Sequence, residues 1–163
     1  MLSLFDMVLR LAVAILLGAV IGLERESIGK EAGVRTNIMV AAGAALFSIA
    51  SVVVPYLIAV SPEHLADVLA RNSGFLSLAA NVVVGVGFLG AGIIVREGIH
   101  VRGLTTAATV WFVAAIGVLS GFGLIAFAAI ATATLTALLF GLRNIPIGHT
   151  AGRRSGSRER GDQ

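Results

Sequence analysis

Glutamate, arginine and threonine gather in four short groups: Glu24-Arg25-Glu26, Arg35-Thr36, Arg96-Glu97, and Arg102-Gly103 followed by Thr105 and Thr106. Two kinds of binding chemistry suit such groups. Magnesium needs carboxylate or carbonyl oxygens in near-octahedral array while keeping several waters, and Glu24, Glu26, Glu31 and Glu97 are the acids in or beside these groups. The neighbouring arginines oppose a tight cation cage. They suit an anion better, since Thr105 and Thr106 follow Arg102-Gly103 at an expected helix start, where free N–H groups and the helix dipole favour negative charge. The same residues also read as ordinary helix capping. A third reading is a salt-bridge belt that fixes loop register, each exposed pair contributing little.

Covalent chemistry has no matching constellation. His64, His100 and His149 stand far apart, there is no cysteine, and no phosphate-binding loop or dinucleotide fingerprint occurs. The expectation is a non-enzymatic protein with no cofactor.

The elements that must hold these groups are membrane helices. Of 163 residues, 57% are hydrophobic and only 13% charged, against roughly 25% charged in soluble domains. Mean hydropathy is +0.96. The apolar residues form long runs without the two-residue alternation of a membrane barrel, so helices must satisfy the backbone in lipid. An all-α polytopic bundle is expected. Runs at Leu4 to Leu23, Asn37 to Ala59, Leu76 to Val95, Leu104 to Leu119 and Leu124 to Leu142 suggest about five spans. Asp6 and the absence of a small-residue cleavage site favour the first run as a retained span over a signal peptide.

Arg25, Lys30 and Arg35 lie in the first connection, Arg96 and Arg102 in the third, and Arg143, Arg153, Arg154, Arg158 and Arg160 after the last run. The second connection offers only Arg71. The positive-inside rule therefore places the first and third connections and the C-terminus in the cytoplasm, with the N-terminus outside. Arg10, near the outer end of the first span, is expected to snorkel and to pair with Asp6 four residues earlier. Ser61-Pro62-Glu63 signals a short external helix, with Leu65, Val68 and Leu69 on its apolar face. Ser120 to Gly123 allows only a tight reversal, so the last two spans form an antiparallel pair. Residues 1–142 are read as a transmembrane domain. Residues 143–163, polar and basic, are read as a disordered cytoplasmic tail attracted to anionic lipid. The positive-inside rule already accounts for their charge, so nucleic acid is not an expected partner.

Glycine marks the packing. Gly85, Gly87, Gly90 and Gly92 fall within one span, where each costs roughly 1 kcal/mol against alanine. The expected compensation is close approach of another helix, as also at Gly18 and Gly22 and at Gly117 and Gly121. These surfaces predict pairing within the protomer or in a homo-oligomer, a dimer first. Asn81 must find a partner inside its span, either an interhelical hydrogen bond worth roughly 1 kcal/mol or a solute. Trp111, deep in the fourth span, is expected to pack inside.

Four motifs in order, GAVIGLERE at Gly18 to Glu26, AGVRTN at Ala32 to Asn37, VGVGFLGAGIIVREG at Val84 to Gly98 and VRGLTTAATVW at Val101 to Trp111, resemble the MgtC/SapB family of bacterial membrane proteins. The resemblance covers nearly all of the first 140 residues. It implies an inner-membrane protein linked to magnesium homeostasis and to adaptation to low magnesium, acid or intracellular stress. The family is often labelled as magnesium transport proteins, yet its best-known members resemble regulators of other membrane machinery, including the proton-driven ATP synthase. Longer members carry a soluble C-terminal domain resembling small ligand-sensing modules. By resemblance, Glu24, Arg25, Arg35, Thr36, the glycines from Gly85 to Gly92, Arg96, Arg102, Gly103, Thr105 and Thr106 form a shared cytoplasmic-side patch. Two functions follow as alternatives: a membrane regulator that binds another inner-membrane protein such as ATP synthase or a transporter, and an oligomeric transporter or channel for magnesium or another small solute.

Overall fold

The computed structural model describes residues 2–59, 64, 68 and 74–142. Among them are five long helices: α1 (Leu4–Ser27), α2 (Val34–Ile58), α3 (Gly74–Ile93), α4 (Leu104–Gly121) and α5 (Ile125–Leu142). Four are long and apolar enough to cross a membrane, and α3 adds the shorter apolar stretch Ser77–Ile93. The all-α membrane bundle is thus the architecture observed. One small element departs from it. Between α3 and α4 the chain forms an antiparallel hairpin of β1 (Val95–Glu97) and β2 (His100–Arg102), where the sequence suggested only a charged connection.

The expected external helix falls almost wholly outside the described residues; His64 and Val68 of that segment are helical. The expected tail after residue 142 also lies outside them.

Two GxxxG surfaces organise the bundle, and both press on α2. A methyl group built at Gly18 would come 2.8 Å from the Asn37 carbonyl oxygen, and one at Gly22 would come 2.6 Å from the Val34 Cα. Farther along the same stripe of α2, with Ala41 shared, a methyl group at Gly117 would sit 2.3 Å from the Ala41 oxygen, and one at Gly121 would sit 2.6 Å from the Ala45 oxygen. Helix backbones meet where no side chain intervenes, the arrangement lipid favours because burial of apolar surface gives no net drive there. Ala14, Ile21, Ala41, Ala45 and Val113 fill one core cluster. Ala32, Ala44, Val86, Val110 and Ala114 fill a second. Through Val110, Val113 and Ile116, α4 is the most enclosed helix, which gives the shortness of its span a setting in the middle of the bundle.

Termini are tied by polar contacts. At the N-terminus Ser3 and Asp6 form a capping box. Asp6 is therefore engaged with Ser3, and Arg10 does not close on it; the Arg10 guanidinium instead donates to the Gly121 carbonyl at 2.9 Å. The cation thus meets the negative C-terminal end of α4, next to the Gly123 turn that leads into α5. Trp111 is also placed differently from expectation. It is 49% exposed and faces outward.

Candidate functional site

The polar end of the bundle, where α1 and α3 finish and α2 and α4 begin, is built from helix ends that cannot cap themselves. Both α2 and α4 start on glycine, Gly33 and Gly103, with no side-chain cap of their own. Their first N–H groups need acceptors; for α2 a carboxylate from α1 supplies one, and at α4 a carboxylate meets a first-turn hydroxyl. Glu26, near the end of α1, accepts from the Val34 N–H at 2.8 Å. Glu31, in the α1–α2 connection, accepts from the Thr106 hydroxyl at 2.8 Å in the first turn of α4. Negative charge at each positive helix end is stabilising. Alpha-helix α1 itself ends on Gly29 at φ 67, with the Gly29 and Lys30 N–H groups returning to the Glu26 and Arg25 carbonyls, so the connection is turned tightly enough to deliver Glu31.

Beneath these caps lies a buried ion pair. Arg25 continues the inner face of α1 marked by Gly18, Ile21 and Gly22 and is only 3% exposed. Its guanidinium grips Glu24 through two nitrogens, the outer one at 2.6 Å. Asn37 is fully buried, and its amide donates to the Ala32 and Gly33 carbonyls at 2.9 and 2.8 Å. Its Oδ1 has no partner among the described residues.

Among the described residues, clefts open on this end. One of about 590 Å³ is lined by Glu26, Lys30, Glu31, Arg35 and Thr36 among others. Another, about 470 Å³, is lined by Lys30, Glu31, Arg102, Thr105 and Thr106 among others. Lys30 and Glu31 border both. The Glu31 carboxyl is held below the usual glutamate value, first by its own backbone N–H, then by the Thr106 hydroxyl, and to a smaller extent by Lys30 and Arg102. Among the described residues no group of three His, Asp or Glu side chains is assembled.

The structure therefore brings together Glu24 with Arg25, Arg35 with Thr36, and Arg102 with Thr105 and Thr106. Arg96 stands apart in the hairpin, its Nε donating to the Gly98 carbonyl. Asn81 lies farther away on α3, exposed in an apolar groove of about 490 Å³ between α2 and α3, and makes no hydrogen bond among the described residues. Glu26, Glu31 and Asn37 carry more of the site than the charge groups suggested. A sequence signal for them existed, since two helices beginning on glycine must take their caps from other segments.

The glycines divide in the same way. Gly90 approaches the Ala107 methyl, its built Cβ at 3.6 Å, whereas Gly85, Gly87 and Gly92 have no other atom within 4 Å. Gly85 and Gly92 lie on one side of α3, with Gly85 bordering the α2–α3 groove, whereas Gly87 lies nearly opposite them.

Residues 11–146 match the MgtC family. The chain belongs to that family. Protein MgtC of Brucella abortus (strain 2308) is 48% identical over 128 residues, which cover 78% of this chain and 48% of the relative. Protein MgtC of Salmonella typhimurium (strain LT2) is 47% identical over 119 residues, covering 73% and 45%. The matched part thus spans about half the length of these curated MgtC relatives. No solved structure matches. The capping network, the buried pair and the GxxxG contacts all lie within the MgtC-family region, which forms a multi-pass membrane protein.

Acid should loosen this MgtC-family network at one identifiable point. Because the folded carboxyl of Glu31 titrates lower than the unfolded one, its stabilisation is complete above the unfolded value and is lost as pH falls through the folded value. Glu31→Gln is expected to lower the melting temperature at neutral pH, and the difference from the parent should shrink as the medium is acidified below the usual glutamate range. A difference that stays constant across that range would remove Glu31 from the network.

Proposed function

We propose that this MgtC-family chain is a non-enzymatic regulator in the bacterial inner membrane, linked to magnesium homeostasis and stress adaptation, that acts by binding other membrane proteins. One observation carries the reading. Three of the four acids at the polar end are committed, Glu24 to Arg25, Glu26 to the start of α2 and Glu31 to the start of α4, while Arg35 and Arg102 remain exposed on the clefts. An end so built offers a cationic surface more readily than a magnesium cage. Hydroxyls within the bundle support it too, since Ser48, Thr109 and Ser120 each donate to their own helix.

On this reading the polar end faces the cytoplasm and the N-terminus lies outside, as the arginine distribution favours. The chain self-associates, with a dimer the simplest form, through the side of α3 left open at Gly87. A Cβ at Gly87 meets no described atom within 4 Å, and Gly87→Leu is expected to abolish crosslinking between copies. Unchanged crosslinking would rule out that face.

The open groove at Asn81 favours a second reading, an oligomeric transporter or channel in which two copies complete a path that one lacks. A flux assay in proteoliposomes separates the two. The regulator reading expects no magnesium uptake above empty vesicles; robust uptake abolished by Glu24→Gln would establish transport instead.

A further inference from the structure

We propose that the β1–β2 hairpin is a lipid-surface anchor, one face of which rests on the headgroups of an anionic bilayer with Ile99 in the acyl margin and Arg96 on lipid phosphate. The register pairs Val95 with Arg102, Arg96 with Val101, and Glu97 with His100. Residues opposite each other across an antiparallel pair project to the same side, and neighbours along a strand alternate. Arg96 and Val101 thus share one face, joined by Ile99 at the turn, while Val95, Glu97, His100 and Arg102 share the other. The first face holds one cation, two β-branched apolar residues and no acid. Glu97 is confined to the second.

No described residue covers the first face. Ile99 is 90% exposed and Val101 47%. The apolar surface is continuous with the flanks of the membrane helices, because Ile94 and Leu104, which bracket the hairpin, are exposed, as are Phe88 and Leu89 on α3. Its root is held in place: a Cβ at Gly103 would come 2.3 Å from the Ile93 carbonyl oxygen, so the ends of α3 and α4 touch where the hairpin leaves them. Arg96 donates Nε to the Gly98 carbonyl at 3.0 Å, which leaves its terminal nitrogens without a protein partner among the described residues. Apolar side chains beside a free guanidinium, rooted at the edge of a lipid-facing surface, match the interface between acyl chains and anionic headgroups. The inference rests on the membrane placement of the bundle and is independent of whether the protein regulates or transports.

The chain has no cysteine, so a single introduced thiol is a unique label site. The full chain carrying Ile99→Cys or Glu97→Cys, labelled with bimane, is reconstituted into vesicles of phosphatidylglycerol and phosphatidylcholine. Nitroxide-bearing lipid is expected to quench the label at 99 several-fold more than the label at 97, and aqueous iodide the reverse. Adding Arg96→Gln, or using phosphatidylcholine alone, should shift the label at 99 towards iodide. Equal iodide access at both positions would overturn the proposal, as would a label at 99 that ignores both Arg96→Gln and lipid charge. A crosslink between copies at position 99 would overturn it by assigning the face to a second chain.

Discussion

Gly117→Ala is expected to destabilise the bundle by about 3 kcal/mol, near the upper end of ordinary overpacking costs. The added methyl would meet a backbone oxygen, Ala41 O at 2.3 Å, with the Ala44 Cβ at 2.8 Å. Rotamer changes cannot move a carbonyl that is locked in a helix. Relief requires α4 to back away from α2, which opens the second core cluster around Ala44, Val110 and Ala114. Gly87→Ala is the matched control, because its methyl meets no other atom within 4 Å. That change should be neutral or stabilise by up to roughly 1 kcal/mol through helix propensity. Unfolding of both variants in micelles, titrated with a denaturing detergent, gives the comparison. Equal stability of Gly117→Ala and the parent would mean that α2 and α4 do not touch.

The second large effect concerns the buried pair. Arg25→Met removes the cation and leaves the Glu24 carboxylate, 10% exposed, without its counter-charge. Breaking a buried pair from one side costs about 3–5 kcal/mol, whereas replacing both members by neutral groups of similar size is often nearly neutral. The double variant Glu24→Gln/Arg25→Met should therefore recover most of the lost stability. A double-mutant cycle reads the coupling directly. A loss below about 1 kcal/mol for Arg25→Met would show a solvated pair.

Much of the architecture was open to sequence reasoning. The apolar runs anticipated the helices to within a few residues, because in lipid each backbone group must be satisfied within its own segment and the requirement is local. The GxxxG spacings at Gly18 and Gly22 and at Gly117 and Gly121 foretold close contacts, which the structure realises at successive levels of α2. The short reversal between the last two spans is the Phe122–Leu124 connection between α4 and α5. The charge groups located the polar end.

Other features were hidden for a definite reason. A helix that is apolar all round has no polar stripe to say which side faces lipid. Gly85, Gly87 and Gly92 were therefore indistinguishable from Gly18 and Gly117, yet among the described residues no other element comes within 4 Å of a Cβ built at any of them, and Trp111 is half exposed. The hairpin between α3 and α4 has strands of only three residues each, too short to leave a periodic signature.

Membrane residence, the helix count, family membership and the presence of a charged end follow from the order of residues alone, since they depend on local chemistry and motif spacing. The partners of that chemistry do not. Glu26 reaches eight positions ahead to cap α2, Glu31 reaches seventy-five to the start of α4, and Arg10 reaches one hundred and eleven to the end of α4. Each acceptor or donor had many chemically equivalent candidates along the chain. Backbone contact at the glycines selected among them, by fixing which helix ends lie side by side.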